Sequence, residues 1–98
     1  MGLIIHPEAA KDVREIAAKY ADVSGNLVER FWTELDVAMD GIAASPERCH
    51  YDPSGLRRSN LVKFPYHILF EQQLDCIQII VIRHHHRHPS YGIERRGI

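Results

Sequence analysis

Ninety-eight residues, 45% of them hydrophobic, suffice for one domain spanning residues 1–98 around a single core and leave no room for two. A charged fraction of 26% without low-complexity tracts argues against disorder, and no apolar run approaches the length that crosses a bilayer. The net charge of -1 conceals a division: residues 1–49 hold nine acids against five Lys and Arg, residues 50–98 hold four against seven, and six of the seven histidines fall in the second half. An anionic partner is therefore expected at the C-terminal half.

Acidic residues arrive too early in MGLIIHPEAAKDV for a secretory signal, and nothing there resembles a mitochondrial presequence, so a cytoplasmic location is expected. Cys49 and Cys76 share no CxxC spacing and read as two reduced thiols in that compartment. Gly2 to His6 is too short for a helix and reads as a strand. Pro7 then opens a segment whose Ala9, Val13, Ile16, Ala17 and Tyr20 recur at helical spacing. Ser24 and Gly25 interrupt it, and Val28, Trp32, Leu35, Met39 and Ile42 resume the pattern until Ser45 and Pro46 end it, which predicts an αα-hairpin. Asp12, Glu15, Asp22, Glu29, Glu34, Asp36 and Asp40 lie off these stripes and are expected on solvated outer faces.

The turn-rich CHYDPSG, residues 49–55, reads as a loop. Three strands follow: LRRSNLV (56–62), FPYHILFE (64–71) and DCIQIIVIRH (75–84), the last two joined through QQLD. Strict alternation places Phe64, Tyr66, Ile68 and Phe70 on one face, and sets Ile77, Ile79 and Val81 against Gln78, Ile80, Ile82 and His84. Short links make the three strands antiparallel, with one face on the helical hairpin and the other partly solvated. The class is α+β, in the order β-α-α-β-β-β.

The segment VIRHHHRHPSYGIERR, residues 81–96, holds the chemistry. Arg87 breaks the histidine run and the chain continues beyond it, so it is no purification tag. His84, His86 and His88 at i, i+2 and i+4 could bind zinc, but Arg83 and Arg87 bracket them and no complementary ligand set stands nearby. Neither a metal nor another cofactor is expected. The stronger candidate is the set Arg57, Arg58, Lys63, Arg83, His84, His86, Arg87, Tyr91, Arg95 and Arg96, which neighbouring strands can gather on an open sheet face suited to phosphate contacts. If that set cut RNA, His84, His86 or Tyr91 would serve as base or acid, and Arg57, Arg83 and Arg87 would clamp the phosphorane. The same arginines could equally neutralise the acidic helices or a partner.

The chain resembles the RelE/ParE superfamily of toxins from bacterial type II toxin-antitoxin modules. The resemblance rests on Arg57 and Arg58 ahead of the opening Phe64, Pro65, Tyr66, and on a final strand running into His84, Arg87, Pro89 and Tyr91. Gly92 departs from the pattern, since members often carry Trp directly after that tyrosine. The resemblance implies a growth-arresting toxin, neutralised by a cognate antitoxin, as a homodimer or a toxin-antitoxin heterotetramer, with no membrane partner. ParE-like members bind DNA gyrase and trap it on cut DNA, whereas RelE-like members cut mRNA on the ribosome. The long hairpin and the final motif look more like the ParE branch; the histidines with Lys63, Arg83 and Tyr91 would suit a ribonuclease. A non-toxic nucleic-acid-binding or scaffold protein is the remaining alternative.

Overall fold

The computed structural model describes residues 2–97. Helix α1 (Pro7–Val23) starts where Pro7 fixes the first helical φ, and the His6 Nδ1 accepts the Glu8 N–H at 3.0 Å. It stops at Ser24, whose N–H donates to the Tyr20 carbonyl and whose hydroxyl accepts the Leu27 N–H at 2.9 Å to open α2 (Gly25–Ala44). One serine thus ends one helix and caps the next, which keeps the hairpin tight. A 3-10 turn, Pro46–Arg48, follows α2.

The sheet is larger and of more mixed polarity than the sequence predicts. Its five strands are β1 (Gly2–Ile5), β2 (His50–Tyr51), β3 (Arg57–Asn60), β4 (Tyr66–Gln72) and β5 (Cys76–His84), in the order β1-β5-β4-β3-β2. β2 lies inside the expected loop; it forms because the turn at Asp52 to Gly55 folds His50 and Tyr51 back onto Arg58 and Arg57. β1 pairs with β5 in parallel, a polarity open to it because the helices intervene between the two strands. The remaining pairings are antiparallel. Phe64 and Pro65 precede β4, which begins at Tyr66, and the Pro65 carbonyl accepts the His85 N–H.

Strict alternation fails in β5. The register pairs Leu69 with Val81 but Phe70 with Ile79, leaving Ile80 as the extra residue of a β-bulge. Ile77, Ile79 and Ile82 therefore join the helix-side core, while Ile80 and Val81 together face away from it with Leu56 and Leu69. Val81 is not on the face expected for it, and beyond the bulge the phase of His84 is reset with Ile82.

The helix-side core gathers Ala9, Val13, Ile16 and Ala17 of α1 and Phe31, Leu35 and Ile42 of α2 against the sheet. Phe31 is fully buried and touches the rings of Tyr20, Phe64 and Tyr66, whereas Trp32 stays 41% exposed. The stripe of α2 thus runs through Val28, Leu35, Met39 and Ile42 as expected, with Phe31 in place of Trp32. The opposite face is not left open. Tyr91, and Ile93 at the start of a 3-10 turn, Ile93–Arg95, cover Leu56, Leu69, Ile80 and Val81. Gly92 makes that cover possible: its φ of +80° favours glycine, and a Cβ there would stand 2.5 Å from a Val81 methyl. A tryptophan at this position would meet the same wall.

Candidate functional site

β1 covers the edge of β5 only as far as Ile79, where the His6 N–H still bonds to the Ile79 carbonyl at 2.9 Å. Beyond it the edge is completed by side chains. The Ile82 N–H donates to Asp12 Oδ2 at 3.2 Å, and Arg95 Nη1 donates to the Ile80 carbonyl at 3.1 Å and to Asp12 Oδ2 at 2.7 Å. Arg95 Nη2 and the Tyr91 hydroxyl donate to Asp12 Oδ1 at 3.3 and 2.8 Å. Asp12 is 5% exposed and Arg95 7%, so each satisfies the other where water cannot. Asp12 therefore does not lie on a solvated outer face. It sits between Ala9, Val13 and Ile16 in the buried stripe of α1, and that spacing is the signal that could have placed it.

Beside this junction lies a cleft of about 290 Å³ between α1 and the end of β5, lined by Glu15, Lys19, Tyr66, His84, His86, Arg87 and Tyr91 among others. His84 packs edge-on against Tyr66 with centroids 5.1 Å apart, and its Nδ1 accepts the His86 N–H at 3.0 Å. The Arg87 guanidinium lies 4.1 Å over the Tyr91 ring. Burial, and then the hydrogen bond to Asp12, push the Tyr91 phenol above its ordinary range and keep it a protonated donor. Arg95 is raised as well: burial opposes its charge, but Asp12 more than offsets that.

Arg83 points to the opposite face. It is 4% exposed; its Nη2 meets Asp52 Oδ1 at 3.4 Å, its Nη1 donates to the Pro89 carbonyl at 2.5 Å, and its Nε donates to His67 Nε2 at 3.0 Å. His67 Nδ1 in turn lies 3.0 Å from His85 Nδ1, with the rings parallel to within 5°. Burial, with the charges of Arg58 and Arg83, drives the His67 pKa down to about 3, and burial lowers that of His85 too. Asp52 is buried as well. That burial disfavours its charge, yet its bonds from Ser54 and the neighbouring Arg83 and Arg58 hold it below the ordinary carboxylate range. The sequence reading places Asp12 on the wrong face and gives no role to Asp52, His67 or His85; for Asp52 the DPSG turn is the available cue.

Of the sequence-derived set, the structure brings His84, His86, Arg87 and Tyr91 to one cleft. Arg83 also borders it, but its guanidinium is committed to the other face. Lys63 lies apart beside Arg30 and Phe64, and Glu34 accepts the N–H groups of Val62 and Lys63. Arg57 donates to the Cys49 carbonyl at 2.9 Å and stacks on Tyr51, on the face opposite Arg58. Arg96 bonds to the Ser54 carbonyl and to Glu71 at 2.8 and 3.2 Å. Among the described residues no group of three or more His, Cys, Asp or Glu is arranged to hold a metal, and His88 lies across the segment from His84 and His86. Among the described residues no helix is long and apolar enough to cross a membrane.

Comparison with known proteins agrees with this architecture. The family model for the ParE toxin of the type II toxin-antitoxin system parDE matches residues 3–89. A solved structure described as the chromosomal ParDE TA system from P. aeruginosa superposes with a TM-score of 0.74 at 22% identity, covering 86% of this chain and 95% of that one. A search of curated proteins finds no match.

Proposed function

The chain belongs to the ParE toxin family of type II toxin-antitoxin systems, and from that premise we propose that it arrests growth by binding DNA gyrase and holding it on cut DNA, until a cognate antitoxin neutralises it. The observation that carries the reading is the dispersal of the groups an RNA-cleaving centre would need. Lys63 and Arg57 lie outside the histidine cleft, the Arg83 guanidinium is consumed by Asp52, His67 and Pro89, and the Tyr91 hydroxyl is consumed by Asp12. A toxin that acts by contact needs no proton-transfer pair. It needs a rigid surface, which the buried ion pairs behind the cleft supply. The antitoxin is proposed as a segment that orders on this surface, with the toxin a homodimer or part of a toxin-antitoxin heterotetramer.

The test is supercoiling of plasmid DNA by gyrase with the purified protein added. Loss of supercoiling with accumulation of cleaved plasmid is the expected result; unimpaired supercoiling under excess folded protein sinks the proposal. One observation favours a second reading, a ribosome-dependent endoribonuclease: His84, His86 and Arg87 line the same cleft. Under that reading single alanine replacements of His84 and His86 lower mRNA cleavage by orders of magnitude while antitoxin binding persists.

A further inference from the structure

A second cleft, of about 500 Å³, opens on the sheet face away from the helices, between the turn after Asp52 and the segment that follows β5. Arg58, Arg83, Arg87, His85 and His88 line it with Asp52 as the one carboxylate; Arg83 is buried on Asp52, and Arg58 bonds to Asn60 Oδ1 at 2.8 Å and reaches the same Asp52 oxygen at 3.4 Å, so one negative charge is shared by two guanidinium groups while Arg87 brings a third. Arg87 has no ion-pair partner among the described residues and is held flat on Tyr91.

The hydrogen bonds of the two histidines fix where their protons lie. An arginine Nε can only donate, so His67 Nε2, which receives it, is bare, and a neutral His67 carries its proton on Nδ1. That proton goes to His85 Nδ1, 3.0 Å away, and His85 is left with its N–H on Nε2. His88 Nδ1 accepts the Ser90 N–H at 3.1 Å, which likewise leaves its N–H on Nε2. Both imidazoles are exposed. The cleft therefore offers two imidazole donors, His85 set from the buried side by His67 and His88 set locally by the exposed Ser90, next to guanidinium forks and a surplus of positive charge.

We propose that this cleft binds a phosphate group, gripped by Arg58, Arg87 and the Nε2–H groups of His85 and His88. A tetrahedral anion with several oxygens uses such converging donors, whereas a carboxylate is satisfied by one guanidinium. The phosphate belongs either to the backbone of a nucleic acid or to a free phosphate. The site shares Arg83 and Arg87 with the histidine cleft but opens on the other face of the sheet, and it does not depend on which cellular target the toxin has, because binding is read on the protein alone.

The experiment titrates isotopically labelled protein with inorganic phosphate and, separately, with a short single-stranded oligonucleotide, following amide shifts and histidine ring nitrogens by NMR. Saturable shifts at His85, Arg87 and His88 are expected. Arg58→Gln should weaken binding about ten-fold or more, the loss of a charge-assisted contact, while Arg14→Gln on the outer face of α1 should leave it unchanged. Tighter binding of the oligonucleotide identifies the backbone phosphate as the occupant, and equal binding identifies free phosphate. Shifts that do not saturate with either probe, binding indifferent to Arg58→Gln, or a His85 proton found on Nδ1 would each overturn the proposal.

Discussion

On the side of the sheet that meets α1 and α2, Phe31, Phe64, Ile68, Phe70, Ile79 and Ile82 interlock with few polar groups among them; on the other side, Leu56, Leu69, Ile80 and Val81 form a small apolar patch hemmed by Arg83, His67 and Asp52. The first face is held by apolar area, which is non-directional and tolerates repacking. The second depends on charges and ring protons that must each find a particular partner, because an unpaired group there is desolvated without compensation. The contrast teaches that the same sheet is robust where it carries the helices and brittle where it carries the arginines and histidines.

Truncating the centre of the robust face tests its share directly. Phe31→Ala should cost about 4 kcal/mol in urea unfolding, the usual range for a fully buried phenylalanine; a loss below about 1 kcal/mol would mean the core is held elsewhere. Breaking the pair at the open edge comes next. Asp12→Ala should cost about 3 kcal/mol, because it strands Arg95 and the Ile82 N–H, while the double change Asp12→Leu with Arg95→Met should recover the part due to the unpaired charge and leave the part due to the Ile82 N–H. Equal damage from the single and double changes would show that the pair stabilises by more than mutual neutralisation.

Acid separates the two faces by titration. Unfolded His67 takes up its proton near pH 6.5, but folded His67 resists until about pH 3, so between those values the unfolded state binds more protons. Its contribution is whole above pH 6.5 and is lost as the pH falls, by about 2 kcal/mol between roughly pH 6.5 and 4.5. Asp52, with its lowered pKa, adds to the loss only below the ordinary carboxylate range. His67→Gln should flatten the slope, and an unchanged slope would assign the acid sensitivity elsewhere. The smallest effect lies at the hairpin joint, where Ser24→Ala should cost about 1 kcal/mol through the lost cap, read as a lower urea midpoint at unchanged slope.

What the sequence disclosed follows the same divide. Helical spacing revealed α1, and the aromatic alternation of Phe64 to Phe70 revealed the inner face of β4, because burial of area leaves a periodic trace. The bulge at Ile80 left none: one extra residue in an apolar run looks like any other. Nor could spacing foresee that Asp12 would meet Arg95 from the far end of the chain, or that Arg83 would turn inward beside histidines that look like surface. His84, His86, Arg87 and Tyr91 could be named as candidates because they are close in sequence; that they line one cleft could not be read from it. Asp52 and His67, which come from separate strands and turns, were not.

The parallel docking of β1 on β5, together with the bond from Asp12 to Arg95, ties the first dozen residues to the last. Contacts of such long sequence separation must await closure of nearly the whole chain as a loop, which slows folding relative to the local hairpin of helices. During synthesis the helical hairpin can form early, but β1 has no neighbour until β5 has been made. The nascent chain therefore passes through a stage with an unpaired apolar strand, Leu3 to Ile5, and with both clefts incomplete. Surfaces assembled from residues as late as Tyr91 and Ile93 come into being only after those residues are made, so a chain ended before them would lack both clefts.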